Sequence, residues 1–118
     1  MSRNFLSKND ELRRGDSLRS NNGEWEAIFQ DDCNFVIYTN GTPVWASDTY
    51  GFDGFRLCMQ GDCNLVMYNQ NDEPRWNTST YRLESNMCRL QLTNDGKLEL
   101  YREAEKIWSS DDSKGNKL

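Results

Sequence analysis

Polar and apolar residues alternate along two stretches of the chain, residues 29–38 and 59–68. Side chains on a β-strand point alternately to opposite faces, so this alternation predicts a strand with one apolar face in each stretch. In the first stretch that face carries Phe29, Phe35 and Ile37, which we expect to lie in a core. No segment shows a sustained helical period with end caps, so we predict no substantial helix.

The pattern occurs three times along the chain, at residues 30–38, 60–68 and 93–101. A tryptophan follows each segment, and these three are Trp45, Trp76 and Trp108. Turn residues lie between strand and tryptophan, and in the first repeat they include Asn40-Gly41, a strong hairpin signal. Each repeat is therefore predicted to be a strand, a tight turn and a return strand that carries the tryptophan.

A sheet of this size cannot bury its apolar face alone, so we expect the three repeats to pack about a pseudo-threefold axis. The three tryptophans would then occupy the shared centre; the alternative is that each covers only its own hairpin. The predicted fold class is all-β. A length of 118 residues fits a single domain, 1–118, and the tail at about 112–118 looks flexible.

The opposite face of the first two strands carries five side chains in the same order. Aspartate only accepts hydrogen bonds, asparagine, glutamine and tyrosine also donate them, and valine adds a small apolar patch. A sugar ring with several hydroxyls and a few exposed C–H bonds matches such a surface; the alternative is a ladder of amides within the sheet. The candidate sugar-binding residues are Gln30, Asp32, Asn34, Val36, Tyr38, Gln60, Asp62, Asn64, Val66 and Tyr68.

The third segment keeps its apolar face but loses most of the polar set. Its outer face reads Thr93, Asp95, Lys97, Glu99 and Tyr101, so glutamine, asparagine and valine are all replaced. Only Asp95 and Tyr101 remain from the pattern. We therefore predict a degraded third site and expect it not to work.

Composition argues against several classes of function. The net charge is −5 and the pI about 4.7, so the chain lacks the basic patch of a nucleic-acid-binding protein and has little attraction for anionic lipids. No stretch has the length of a membrane span. There is no histidine and no nucleophile beside a base, so we expect no enzyme activity, no metal site and no cofactor.

The first residues lack the apolar region of a signal peptide. The chain could stay inside the cell, leave it by an unconventional route, or be numbered after processing. The cysteines are Cys33, Cys58, Cys63 and Cys88. Their even number allows one or two disulfides, and the alternative is four buried free thiols.

The run Gln-x-Asp-x-Asn-x-Val-x-Tyr, intact at 30–38 and 60–68, resembles the signature of the bulb-type lectins, a mannose-binding family of monocot plants that also occurs in fish. With the degraded third copy and the three tryptophans, the resemblance covers nearly the whole chain. Over its whole length, the sequence is similar to those of the lily-type lectins of fish skin mucus. The resemblance implies a β-prism of three four-stranded subdomains and mannose as the ligand without a metal. Because one shallow site binds a sugar weakly, we expect a homodimer or a larger assembly, and the family implies exchanged C-terminal strands as the means.

The resemblance also implies a role for each matching side chain. Asp32 and Asn34 would bind the axial 2-hydroxyl of mannose, while Gln30 would bind the 3-hydroxyl. Tyr38 would bind the 4-hydroxyl and Val36 would pack against ring carbons. The same roles in the second site fall to Asp62, Asn64, Gln60, Tyr68 and Val66.

In plant members of this family a core-face cysteine of one motif pairs with a cysteine five residues before the next motif. By resemblance, this implies a disulfide between Cys63 and Cys88. Cys33 and Cys58 share the same separation, but Cys58 has the opposite strand parity. A second bridge and a pair of free thiols therefore both stay open.

These observations favour a non-enzymatic lectin for D-mannose and mannose-rich glycans, which agglutinates microbial surfaces in defence. It would act outside the cell, in a mucus-like secretion, or in the cytoplasm. The alternative function is a β-prism protein-interaction module, for example for cytoskeletal proteins, with vestigial sugar sites.

Overall fold

A computed structural model of the chain describes residues 3–83 and 87–118. This part of the chain contains no helix and forms thirteen short strands. In chain order they are β1 Phe5–Ser7, β2 Glu11–Arg13, β3 Ser17–Arg19, β4 Glu26–Phe29, β5 Phe35–Thr39, β6 Thr42–Ala46, β7 Arg56–Met59, β8 Leu65–Tyr68, β9 Pro74–Asn77, β10 Cys88–Leu92, β11 Leu98–Arg102, β12 Glu105–Ser109 and β13 Asn116–Lys117.

The strands form three antiparallel sheets, one for each repeat. Sheet 1 has the order β3-β4-β5-β6, sheet 2 the order β13-β9-β8-β7-β2, and sheet 3 the order β1-β10-β11-β12. Each repeat supplies three consecutive strands, and each sheet gains one further strand from the N-terminal segment. The predicted all-β architecture of three subdomains is confirmed, with the difference that sheet 2 has five strands because the C-terminal β13 joins it.

The first half of each sequence motif is a loop, where the alternation pattern predicted a continuous strand. Gln30 N–H donates to Asn34 O at 3.0 Å, and Cys33 N–H donates to Gln30 O at 3.0 Å. Cys33 has φ of 74°, so the loop is a tight turn followed by one left-handed residue, a common short hairpin connection. The strand β5 begins only at Phe35. Gly96 takes the left-handed position in the third repeat, where glycine does so without steric cost.

The three tryptophans meet at the centre of the molecule. The ring of Trp108 contacts the rings of Trp45 and Trp76 edge to face, at centroid distances of 6.0 and 6.4 Å. This geometry is favourable because the positive edge of one ring faces the negative face of the next. The shared aromatic centre is therefore confirmed, and it joins the apolar faces of all three sheets.

The C-terminal segment, predicted to be flexible over residues 112–118, makes several contacts with this centre. Trp45 Nε1 donates to Ser113 O at 3.3 Å, and Trp76 Nε1 donates to Lys114 O at 2.8 Å. Strand β13 then pairs with β9, and Leu118 N–H donates to Arg75 O at 3.0 Å. The polar composition of the tail gave no sign of these contacts, because its backbone carbonyls rather than its side chains accept the indole N–H groups.

The disulfide between Cys63 and Cys88 is present, and their Cα atoms lie 5.4 Å apart. Cys33 and Cys58 are both buried and free, so the second bridge does not form. Cys33 belongs to the core and donates its S–H to Gly54 O, whereas Cys58 lies outside the core cluster and accepts from Arg56 Nη1. The opposite strand parity of Cys58 explains this separation. Burial raises the pKa of both thiols.

Alkylation can measure how many of the four cysteines are free thiols in the native and in the unfolded chain. We expect the native chain to take up no iodoacetamide at pH 7, because the free thiols Cys33 and Cys58 are buried and protonated. Unfolding without a reductant should expose two reactive thiols per chain, and unfolding with a reductant should expose four, as counted by intact mass. No reactive thiol after unfolding alone would instead show a second disulfide, and four would show none.

Gly115 and Gly41 offer a matched test of the central packing, since both have φ of +76°. An added Cβ would meet nothing within 4 Å at Gly41 but would collide with the Trp76 ring at Gly115. Both alanine variants carry backbone strain of roughly 1–2 kcal/mol. Gly115→Ala should lower the free energy of unfolding by roughly a further 1–3 kcal/mol through overpacking. Denaturant titration measures both losses, and equal losses would show that the tail does not pack on Trp76.

Candidate functional site

The five candidate residues of the first motif lie together on the outer side of sheet 1. We call this set site 1: Gln30, Asp32, Asn34, Val36 and Tyr38. The Gln30 amide lies 2.5 Å from the Tyr38 hydroxyl. The amide orientation that satisfies both neighbours lets its oxygen accept from Tyr38 while its nitrogen donates to Asp32 Oδ1 at 3.0 Å. Gln30 and Asp32 from the loop and Tyr38 from the strand therefore line one cleft.

Two structural details bring loop and strand residues to the same side. The hairpin loop folds Gln30 and Asp32 back over the sheet. The regular alternation along β5 then puts Tyr38 on the same face as Val36, while the register shift lies on β6, where Val44 has no partner. Val36 is buried but outside the core cluster, and its strand neighbour Ile28 lines the cleft. The cleft of site 1 therefore has apolar side chains at its base and polar side chains around them.

A hydrogen-bonded clamp behind the cleft holds Asn34. Its Oδ1 accepts from Thr49 N–H at 3.2 Å and from Ser47 Oγ at 3.4 Å. Its backbone N–H donates to Asp32 Oδ1 at 3.0 Å, and the Thr49 hydroxyl donates to Cys33 O at 2.6 Å. Because the amide oxygen of Asn34 faces the clamp, its nitrogen is left to donate to a ligand.

The second motif repeats this arrangement on sheet 2 with a set that we call site 2: Gln60, Asp62, Asn64, Val66 and Tyr68. Asn64 Oδ1 accepts from Thr80 N–H at 3.2 Å and Thr78 Oγ1 at 3.3 Å. The Thr80 hydroxyl donates to Cys63 O at 2.7 Å, and the Gln60 amide contacts the Tyr68 hydroxyl. Two copies of one site therefore stand on two different sheets.

The clamp residues were missed by the sequence reasoning. They are Ser47, Thr49, Thr78 and Thr80. The sequence does carry a signal for them, because a serine or threonine stands two residues and again four residues after both Trp45 and Trp76. Hydroxyl side chains in loops are common, however, and their contact with the preceding hairpin is long-range.

The two sites differ in the charge beside the tyrosine. Glu26 lies opposite Tyr38 in sheet 1, whereas Arg56 lies opposite Tyr68 in sheet 2. The Arg56 guanidinium lies 4.7 Å from the centre of the Tyr68 ring, and its Nη2 donates to Asp72 at 2.8 Å. The hydrogen bond with Asp72 raises the pKa of Arg56. Site 2 is therefore bordered by a fixed cation where site 1 has a carboxylate.

The side chains of the degraded third motif bind one another. The Tyr101 hydroxyl donates to Glu99 at 3.0 Å, and this bond raises the pKa of Tyr101. Thr93 donates to Asp95 and thereby lowers the pKa of that carboxyl. Lys106 lies 3.6 Å from Glu99, which stands where the other sites have valine. The remaining Asp95 and Tyr101 are thus occupied by neighbours that sites 1 and 2 lack.

Within residues 3–83 and 87–118, no three acidic, cysteine or histidine side chains are grouped closely enough to hold a metal ion. In the same part of the chain, no helix is long and apolar enough to cross a membrane.

Comparison with known proteins places this geometry among lectins. No family model matches the chain. A B-type lectin, plumieribetin from Scorpaena plumieri, is 65% identical over 114 residues, which are 97% of this chain and 100% of that protein.

Two solved plant lectins share the fold. A monomeric mannose-binding lectin from Gastrodia elata has a TM-score of 0.83 and 35% identity, with coverage of 91% of this chain and 96% of that one. The mannose-specific agglutinin of snowdrop (Galanthus nivalis), solved with methyl-α-D-mannoside, has a TM-score of 0.77 and 32% identity, with coverage of 89% and 93%.

The clamp can be tested through Thr49, which is fully buried. Thr49→Val keeps the shape but leaves the Cys33 carbonyl without its partner and removes one of the partners of the Ser47 hydroxyl. We expect a loss of roughly 1–3 kcal/mol in the free energy of unfolding. Thr39→Val is the matched control, since Thr39 donates to Glu24 O at the surface and should change stability by less than about 0.5 kcal/mol. Similar losses in both variants, measured by thermal or denaturant unfolding, would argue against a clamp.

Proposed function

The chain belongs to the B-type, or bulb-type, lectin family, and from this premise we propose that it binds D-mannose and mannose-rich glycans at sites 1 and 2. Lectins bind sugars without converting them, so no catalytic group is required. One observation carries the proposal: two separate sheets present the same five side chains with the same clamp behind them.

The hydrogen-bonding capacity of each site suits adjacent hydroxyls of one hexose. Asp32 accepts hydrogen bonds, the Asn34 amide nitrogen donates them, and the Tyr38 hydroxyl can do either. In the proposed complex Asp32 and Asn34 bind the axial 2-hydroxyl, and Gln30 and Tyr38 bind the 3- and 4-hydroxyls. Val36 beneath them lies where ring C–H groups need an apolar contact.

Selectivity for mannose over glucose follows from the fixed position of the clamp. The equatorial 2-hydroxyl of glucose would leave the Asp32 and Asn34 groups partly unsatisfied. An unpaired polar group of this kind costs roughly 1–3 kcal/mol, which is about a fivefold to hundredfold difference in affinity.

A shallow site with few hydrogen bonds binds a single sugar weakly, with a Kd on the order of millimolar. Several sites on one glycan-coated surface bind far more tightly, because the second contact becomes intramolecular. We propose that the chain acts as a homodimer that agglutinates microbial surfaces outside the cell. The Cys63–Cys88 disulfide supports an oxidising compartment, where such bonds persist.

Substitution of the two site aspartates tests the proposal. In Asp32→Ala with Asp62→Ala, the affinity for methyl-α-D-mannoside should fall by roughly tenfold or more, because a charged acceptor is lost from each site. Asp95→Ala, at the same position of the third motif, is the matched control and should leave the affinity unchanged. Calorimetric titration measures the affinity, and agglutination of mannan-coated yeast with and without free mannose measures the activity.

Two outcomes would contradict this assignment. Wild-type protein that binds no mannoside would reject the proposed ligand. Agglutination that persists in the double variant and resists free mannose would instead favour a protein-interaction surface on the same fold.

A further inference from the structure

One exposed tyrosine stands beside each intact site. Tyr50 is 72% exposed and Tyr81 is 55% exposed. Large aromatic side chains usually bury most of their surface, so two such rings at equivalent positions call for a physical explanation. Neither belongs to the five-residue sets of sites 1 and 2.

The clamp fixes where these tyrosines stand. Tyr50 follows Thr49 and Tyr81 follows Thr80, and both threonines hold the hairpin loop of their site. The next residue in each case returns to the same loop: Gly51 N–H donates to Asp32 O at 3.0 Å, and Arg82 N–H donates to Asp62 O at 2.7 Å. Each tyrosine is therefore tethered on both sides to the loop that carries the site aspartate.

A second cleft adjoins site 1 at this point. The cleft of site 1 is lined by Gln30, Asp31, Asp32 and Tyr38 among others. The neighbouring cleft is lined by Asp31 and Asp32 again, together with Tyr50, Phe52 and Arg14. The two clefts thus share the loop carboxylates, and a ligand that leaves site 1 across Asp32 would next meet Tyr50.

The third repeat provides an internal comparison. Tyr50 and Tyr81 each lie five residues after their central tryptophan, and Ser113 holds that position after Trp108. The repeat that lost its polar set also lacks the tyrosine. The tyrosine thus occurs in the two repeats that keep the polar set, whereas Ser113 lies in the tail that packs on the tryptophan centre.

We infer that Tyr50 and Tyr81 form a second sugar subsite beside each primary site, which takes the neighbouring hexose ring of an oligomannoside. The inference rests on the proposed function, because it assigns the partner of a sugar already held in sites 1 and 2. The negative face of an aromatic ring attracts the slightly positive C–H groups of a pyranose. Covering an exposed ring also releases water from its apolar face, which is favourable.

The experiment compares one-ring and two-ring ligands on the full chain. Methyl-α-D-mannoside and the α1,2-, α1,3- and α1,6-linked mannobioses are titrated into wild type, Tyr50→Ala with Tyr81→Ala, and Tyr50→Phe with Tyr81→Phe. Phe5→Ala is the control, since Phe5 is a partly exposed aromatic on sheet 3, away from both sites. Unfolding curves establish that each variant is folded.

We expect wild type to bind at least one mannobiose more tightly than the monosaccharide. The alanine pair should lose about fivefold of that mannobiose affinity, the size of one aromatic contact, with monosaccharide affinity changed by less than about twofold. The phenylalanine pair and Phe5→Ala should behave as wild type, because stacking needs the ring face and not the hydroxyl.

Three results would overturn the inference while leaving the proposed function intact. They are an unchanged mannobiose affinity in the alanine pair, an equal loss for both ligands, and a loss of the same size in the phenylalanine pair. A wild-type protein that binds neither ligand would overturn the proposed function itself, and the subsite with it.

Discussion

The edge-to-face contacts that Trp108 makes with Trp45 and Trp76 tie three small sheets into one structure. None of these sheets has enough apolar area to stand alone, so each needs the other two to cover its inner face. The outer faces are thereby left to solvent, and both intact polar sets stand on outer faces. The packing that buries the inner faces therefore also determines which faces are open to a ligand.

The parts of this arrangement that depend on local sequence patterns could be predicted. Strand periodicity identified the apolar residues Phe35 and Ile37 as core, and the repeated tryptophans identified the centre. The hairpin loop was missed because Cys33 adopts a left-handed conformation that cysteine rarely signals, although Gly96 in the third repeat carries the usual sign. The clamp and β13 depend on contacts between distant residues, and a single sequence does not reveal those.

The third repeat shows that the framework and the binding chemistry are separable. Thr93 N–H donates to Lys97 O and Gly96 N–H donates to Thr93 O, which are the same loop contacts as in the first two repeats. The Ser110 hydroxyl still accepts from Leu98 N–H at the start of β11, as the Ser47 hydroxyl accepts from Phe35 N–H in the first repeat. Most of the outward side chains have changed, and they now pair among themselves. A sheet can therefore lose the polar set of sites 1 and 2 while it keeps its place in the core.

The Cys63–Cys88 bridge spans the connection between sheets 2 and 3. A backbone cut at any point between those two cysteines would leave both fragments covalently attached. The strands of sheet 2 that precede the cut and those of sheet 3 that follow it would remain one molecule. A chain cut by a protease in that segment would therefore still hold sites 1 and 2 on one molecule.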